Sequence, residues 1–232
     1  MAATDPANSA VNLSHLYSNR FNAQEQEQKE RIWRVLCSDF FQGYIRTSDT
    51  VLDIGAGYCE FINHIRCASK IALDLNEDTS RYARGDVRVV RCMSNAMSDI
   101  DSASVDVAFA SNFFEHMPSK EIFLQTLREI RRVLRPMGKL LILQPNIRFL
   151  NGEYWDFLDH HIPLTDRSVV EALLAIGMEP VEVKPRFLPY TTKSRLPQHP
   201  ALVRIYLRFP LAQQLLGKQA WIVAIKPGFE AR

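Results

Sequence analysis

Gly55 and Gly57 stand at alternate positions just after a carboxylate, Asp53, in the run Val51-Leu-Asp-Ile-Gly-Ala-Gly57. Glycine suits a backbone that must turn sharply and pass close to a ligand, because a Cβ would block both. Asp74 closes a second apolar run, Ile71-Ala-Leu-Asp74, twenty-one residues after Asp53. A carboxylate about 20 positions past such a turn is where doubly wound folds hold a nucleoside ribose, its two oxygens accepting from two hydroxyls. A second group of residues suits proton transfer: Glu115-His116 and Asp159-His160-His161. Imidazole titrates near neutrality, and a carboxylate beside it fixes its tautomer and raises its basicity. His160 and His161 are neighbours in extended chain and face opposite ways, so only one of them serves a pocket. His161 is favoured, with His116 as the other candidate base and His160 as a substrate contact. Tyr154, Trp155 and Phe157 have the composition of a wall for a sugar ring or another flat, partly apolar acceptor. Blander readings stay open: Asp53 as a strand-end cap, His116 bonded to backbone, and the aromatics buried under their own loop.

Alternating strand and helix patterns place these residues. Strands are expected at Val51 to Ile54, Ile71 to Leu75, Val87 to Cys92, Val105 to Ala110 and Lys139 to Leu143, with late strands near Pro180 to Val183 and Ala220 to Ile225. Helices are expected over residues 22 to 44, from Phe61 to Cys67 onward, over Ser119 to Arg135, and over Ser168 to Ile176. Pro136-Met-Gly138 should stop the third, and Thr165 or Asp166 should cap the fourth. The order implies an α/β fold, a doubly wound and mostly parallel sheet with its ligand at the carboxyl ends of the strands. Residues 1–45 read as an N-terminal helical cover and 46–232 as the main domain. Substrate-side insertions fall at about 146–166 and 184–219. Two short helices, interrupted by Pro200 and Pro210, are expected to pack over the substrate side, with contact to a membrane surface as the alternative.

The 232 residues are 47% hydrophobic and 23% charged with a net charge of +2, which is ordinary for a globular protein with a substantial core. No apolar run reaches the roughly 18 residues of a spanning helix, and the first residues lack a basic start and an apolar stretch. Cys37, Cys59, Cys67 and Cys92 show neither paired metal spacing nor disulfide density. Reduced thiols, a cytoplasmic location and no metal site are the expectation. From Val183 to Phe229 the chain has no Asp or Glu but eight Lys and Arg residues, Arg186 and Arg195 among them. Such a segment attracts an anionic partner or is simply a solvated basic surface.

The set of motifs resembles the class I S-adenosylmethionine-dependent methyltransferases. Four blocks carry the resemblance: Val51 to Gly57, Ala72-Leu-Asp74, Val105-Asp-Val-Ala-Phe-Ala-Ser-Asn-Phe-Phe-Glu-His116, and Leu127-Arg-Glu-Ile-Arg-Arg-Val-Leu-Arg-Pro-Met-Gly138. It implies a Rossmann-like, seven-stranded sheet whose last strand is antiparallel, with S-adenosyl-L-methionine as cofactor. It implies that Asp53 holds the methionine end, Asp74 the ribose hydroxyls, and Leu75 the adenine face. Asn95, followed by Ala96, stands where relatives often carry an acid near the adenine, and Arg20 is placed to reach the cofactor carboxylate. Cys59 and Met137 stand where many relatives have glycine. Further on, Gln144-Pro-Asn-Ile-Arg-Phe149 and Tyr154-Trp-Asp-Phe-Leu-Asp-His-His-Ile-Pro-Leu-Thr165 resemble methyltransferases found with polysaccharide and cell-surface glycan biosynthesis.

The resulting expectation is O-methylation of a small or glycan-type acceptor, with Tyr154, Trp155, His160, Arg186 and Arg195 on the acceptor side. The rivals are an N-methyltransferase of a small amine, a nicotinamide-dependent dehydrogenase and a non-catalytic cofactor-binding scaffold. The dehydrogenase loses ground for want of a third glycine at the expected spacing. Nucleic acid is disfavoured as partner, because Ser111-Asn-Phe-Phe replaces the Asn/Asp-Pro-Pro-aromatic block of many enzymes that methylate amines of nucleic acids.

Overall fold

The computed structural model describes residues 23–190 and 199–228. Arg20 and Arg195 lie outside the described residues. The elements run α1 (Ala23–Asp39), β1 (Thr50–Ile54), β2 (Ser69–Leu73), α2 (Thr79–Tyr82), β3 (Val87–Val90), β4 (Val105–Ser111), α3 (Lys120–Val133) and β5 (Leu134–Pro145), followed by α4 (Asp166–Ala175), β6 (Glu179–Lys184), α5 (Pro200–Arg208), α6 (Pro210–Leu216) and β7 (Gln219–Ile225). Short 3-10 turns at Phe41–Tyr44, Phe114–His116 and Gly152–Asp156 join them.

The strands form one seven-stranded sheet in the order β3-β2-β1-β4-β5-β7-β6. The first five strands are parallel, and β7 runs antiparallel between β5 and β6. This is the Rossmann-like arrangement of class I methyltransferases. Strand alternation divides the interior in two. Leu52 and Ile54 of β1, with Leu140 and Ile142 of β5, join Phe123, Leu127 and Ile130 of α3 and Val169 and Leu173 of α4 on one face. Val51, Leu141 and Leu143 face the other way, where Leu36, Cys37, Phe41, Phe109 and Trp221 are buried. Aromatic contacts fasten α1 and the turn after it to the second face: Trp33 lies edge-on to Phe109 with centroids 6.3 Å apart, and Phe41 lies 5.3 Å from Trp221.

The helix termini follow local chemistry. Ser119 Oγ accepts from Ile122 N at 3.3 Å to start α3, and Thr165 and Ser168 form a reciprocal capping box on α4. Gly177, at φ +75°, follows α4 in the left-handed conformation that glycine tolerates best.

Three expectations are corrected. The segment after β1 holds isolated helical bonds, such as Asn63 N to Cys59 O at 3.0 Å, but no regular helix. Its fourteen residues bury Phe61, Ile62 and Ile65 and must still return to β2. Pro136-Met-Gly138 does not separate α3 from a strand; β5 already begins at Leu134, paired with Val105, and continues through that tripeptide. The helices α5 and α6 exist, but α5 packs against α1, with Arg204 Nε 3.1 Å from Asp39 Oδ2 and Val203, Tyr206 and Leu207 against the second core face.

Candidate active site

β1 and β4 are paired in register, Ile54 opposite Ala110, so the glycine turn after β1 and the loop after β4 leave the same edge of the sheet. Gly55 and Gly57 take φ +69° and +51°. A Cβ on Gly55 would stand 2.2 Å from Cδ2 of Phe113, whereas one on Gly57 would meet nothing within 4 Å. The turn is therefore sealed against the β4 loop at its first glycine and open at its second. Cys59 also takes a left-handed φ, 61°, so the backbone keeps the shape that glycine gives relatives at this position.

Asp74, at the tip of β2, closes the turn. Its Oδ2 accepts from Gly57 N at 2.7 Å and its Oδ1 from Asn76 N at 2.8 Å. A carboxylate offers about four acceptor positions, so capacity for hydroxyl donors is left. Asp53 is 4% exposed beneath the turn. Burial, with Glu60 and Asp74 adding repulsion, pushes its carboxyl well above the ordinary range. Leu75 is 44% exposed, which removes the core reading and leaves a free apolar face. Asn95 Nδ2 donates to Gln125 Oε1 at 3.0 Å, while its Oδ1 is buried with no hydrogen-bond partner. The orphaned buried acceptor of Asn95, the exposed apolar face of Leu75 and the Asp74 carboxylate are each of the kind that an adenosine calls for. Ala96, next to it, is exposed.

The β4 loop also carries a polar cluster, most of it buried. Glu115 is 1% exposed, and its Oε2 accepts from Gln144 Nε2 at 3.0 Å. Burial raises the Glu115 carboxyl pKa, against the opposing influence of His116. His116 Nδ1 lies 3.0 Å from the backbone oxygen of Asp159 and 3.3 Å from its Oδ2. His160 Nδ1 lies 2.7 Å from the backbone oxygen of Tyr154, and its ring packs on those of Phe157 and His116. The loop is tied to β4 by its backbone, His161 N donating to Glu115 O at 2.8 Å.

Several expected site residues change places here. Only one of the paired histidines turns inward, but it is His160 (8% exposed), not His161, which is exposed. Donation of the His161 amide to Glu115 O fixes the strand-like alternation in that register. Asp159 accordingly serves His116, not His161. Tyr154 is 1% exposed with its hydroxyl donating to Ile162 O, so it supports the loop and does not line a wall. Trp155, at 58% exposed, remains available. Arg186 is spent on structure: Nε and Nη2 donate to Gly217 and Leu215 carbonyls at 2.8 and 2.7 Å, and the guanidinium lies 4.7 Å from the Phe149 ring centre. Other cations of the basic stretch meet acids of this chain, Lys184 with Glu182 and Lys218 with Glu153. Sequence reasoning undervalued Glu115, assigned Asp159 to the histidines next to it in the chain, and missed Gln144 as a support. The available signal was a polar residue ending the apolar run Leu140-Leu-Ile-Leu-Gln144.

With the geometry in place, comparison with known proteins decides the cofactor. Residues 52–142 match the family model described as a methyltransferase domain. That segment is a methyltransferase domain, and the cofactor it implies is S-adenosylmethionine. Its fold is shared with a SAM-dependent methyltransferase from Archaeoglobus fulgidus (19% identity, 92% of this chain and 99% of that one covered, TM-score 0.66). It is also shared with one from Thermotoga maritima (17%, 91% and 98%, 0.65). A third similar structure is a Haloferax volcanii chain in complex with a methyltransferase activator (15%, 90% and 96%, 0.65). None of the curated proteins matches the sequence. Among the described residues no helix is long and apolar enough to cross a membrane.

Proposed function

We propose that this methyltransferase acts on an oxygen of a small or glycan-type acceptor, held between the glycine turn and the 146–166 insertion. The observation that carries this is the Glu115–His116–His160 cluster, with Glu115 and His160 buried and His116 part-buried, on the same sheet edge as the turn. S-adenosylmethionine supplies an activated methyl group on a sulfonium, so the protein's work is alignment and help for the acceptor. A neutral amine already has its lone pair. A hydroxyl must lose its proton, and a site that gathers a buried carboxylate and two oriented imidazoles suits that demand. On the cofactor side, Asp53 would hold the methionine end, Asp74 the ribose, Leu75 the adenine face, and Asn95 the exocyclic amine. The exposed Trp155 and the half-buried Phe157 give an apolar surface of the kind a sugar ring stacks on.

The test is a methyl-transfer screen over sugars, nucleotide sugars, small phenols and small amines, run with the intact chain and with His116→Ala. An oxygen acceptor should emerge, and His116→Ala should lower kcat by about 10²-fold or more with S-adenosylhomocysteine affinity nearly unchanged. Turnover of amines alone, with His116→Ala near normal, would remove the oxygen acceptor from consideration.

A further inference from the structure

We infer that Glu115, His116 and His160 hold a divalent transition-metal ion, with zinc the best match to their donors. The inference deepens the acceptor-activating reading of this cluster and rests on it for its purpose. One ligand atom from each of the three residues lies within 4.8 Å of the others, a spacing that a modest inward movement closes onto one ion.

The orientation of the rings strengthens the case. Backbone carbonyl oxygens can only accept, so Nδ1 of His116 and of His160 must each carry its proton toward Asp159 O and Tyr154 O. Both rings are thereby fixed in the tautomer with the lone pair on Nε2. Metal-bound histidines are usually held this way, their second nitrogen donating to a carbonyl or carboxylate. His116 has both, with Asp159 Oδ2 3.3 Å from the same Nδ1.

Glu115 supplies the independent observation. It is almost wholly buried, and among the described residues its one side-chain donor is the neutral amide of Gln144, with no lysine or arginine paired to it. A carboxylate withdrawn from water calls for a proton or a cation. Gln144 Oε1, in the same buried place, has no hydrogen-bond partner. The His161 and Ile162 amides both reach Glu115 O, at 2.8 and 3.3 Å, so the segment bearing His160 is pinned to the one bearing Glu115 and His116.

Two imidazole nitrogens and one carboxylate oxygen leave a coordination position free, the donor set of catalytic zinc sites. An acceptor hydroxyl in that position would ionise more readily, its proton passing to solvent water. The oxygen then takes the methyl group as the carbon–sulfur bond breaks, and sulfur keeps the electron pair. Ligands from positions 115, 116 and 160 show no metal spacing along the chain, which is why the order of residues alone pointed away from a metal.

The test uses the full chain stripped with chelator and dialysed against zinc chloride, with bound metal measured by elemental analysis. About one ion per chain should remain on the wild type, held at least ~10-fold more weakly by Glu115→Gln and by His160→Gln. Cobalt(II) in place of zinc should give visible d–d bands on the wild type that zinc abolishes, a readout that needs no variant to fold. Calorimetry of S-adenosylhomocysteine on the same samples separates the two readings. Zinc uptake no greater than that of His160→Gln, or absent cobalt bands, overturns the metal site. If S-adenosylhomocysteine still binds, the methyltransferase assignment is unaffected.

Discussion

Gly55→Ala is the sharpest test of how the site is held together, because the structure separates its cost into two parts. Placing Ala at φ +69° costs about 1–2 kcal/mol, whatever the surroundings. The new Cβ also stands 2.2 Å from Phe113 Cδ2 and 2.9 Å from Cε2 and Cγ, so the ring must leave its place. Displacing a packed side chain this way costs a further ~1–3 kcal/mol. The total, roughly 2–5 kcal/mol, is a large share of the ~5–15 kcal/mol that stabilises a typical domain. Phe113→Ala alone removes a half-buried ring and costs about 1–3 kcal/mol. In the double variant the collision is gone but the dihedral penalty stays. The two substitutions should therefore be less than additive by about 1–3 kcal/mol. Urea unfolding followed by tryptophan fluorescence measures this, with the fully buried Trp221 as reporter and unchanged m-values as the check on two-state behaviour. Additivity within ~0.5 kcal/mol would refute the idea that the glycine turn and the β4 loop are locked through this contact.

Two further outcomes follow from the same geometry. Asp53→Asn should stabilise the cofactor-free chain at neutral pH while weakening S-adenosylhomocysteine binding in calorimetry. Because the folded carboxyl titrates above its ordinary 3.8, the native state holds a proton that the unfolded chain has already released. Wild-type stability contributed by this group thus falls as pH rises from that value through the raised one, and the amide should flatten the loss. Urea midpoints at pH 5 and 8 decide it, and a variant less stable than wild type at pH 8 would contradict the burial argument. Met137→Gly should raise Tm by about 2–4 °C, corresponding to up to ~1 kcal/mol. Met137 is 62% exposed at φ 64°. Relief of the left-handed backbone therefore outweighs both the slight packing of an exposed side chain and the added freedom of the unfolded chain; a lowered Tm would show otherwise.

The chain by itself determined the strands and the glycine turn after β1. Val51 to Ile54 and Val105 to Ala110 read as buried strands because parallel strands covered on both faces are near-continuously apolar. Gly55 and Gly57 were legible as a turn because a left-handed backbone of that shape favours glycine, and Asp74 closes it through the Gly57 amide. The acceptor side was decided by tertiary structure. Whether His160 or His161 faces inward depends on one backbone bond, His161 N to Glu115 O, between segments 46 residues apart in the chain. A shift of one residue would reverse every side chain of that segment, and no local pattern fixes such a register. Arg186 looked like a ligand-seeking charge until the fold set the end of α6 against it. Glu115, His116 and His160 share no sequence spacing, and only the descent of the insertion onto the end of β4 brings their ligand atoms together.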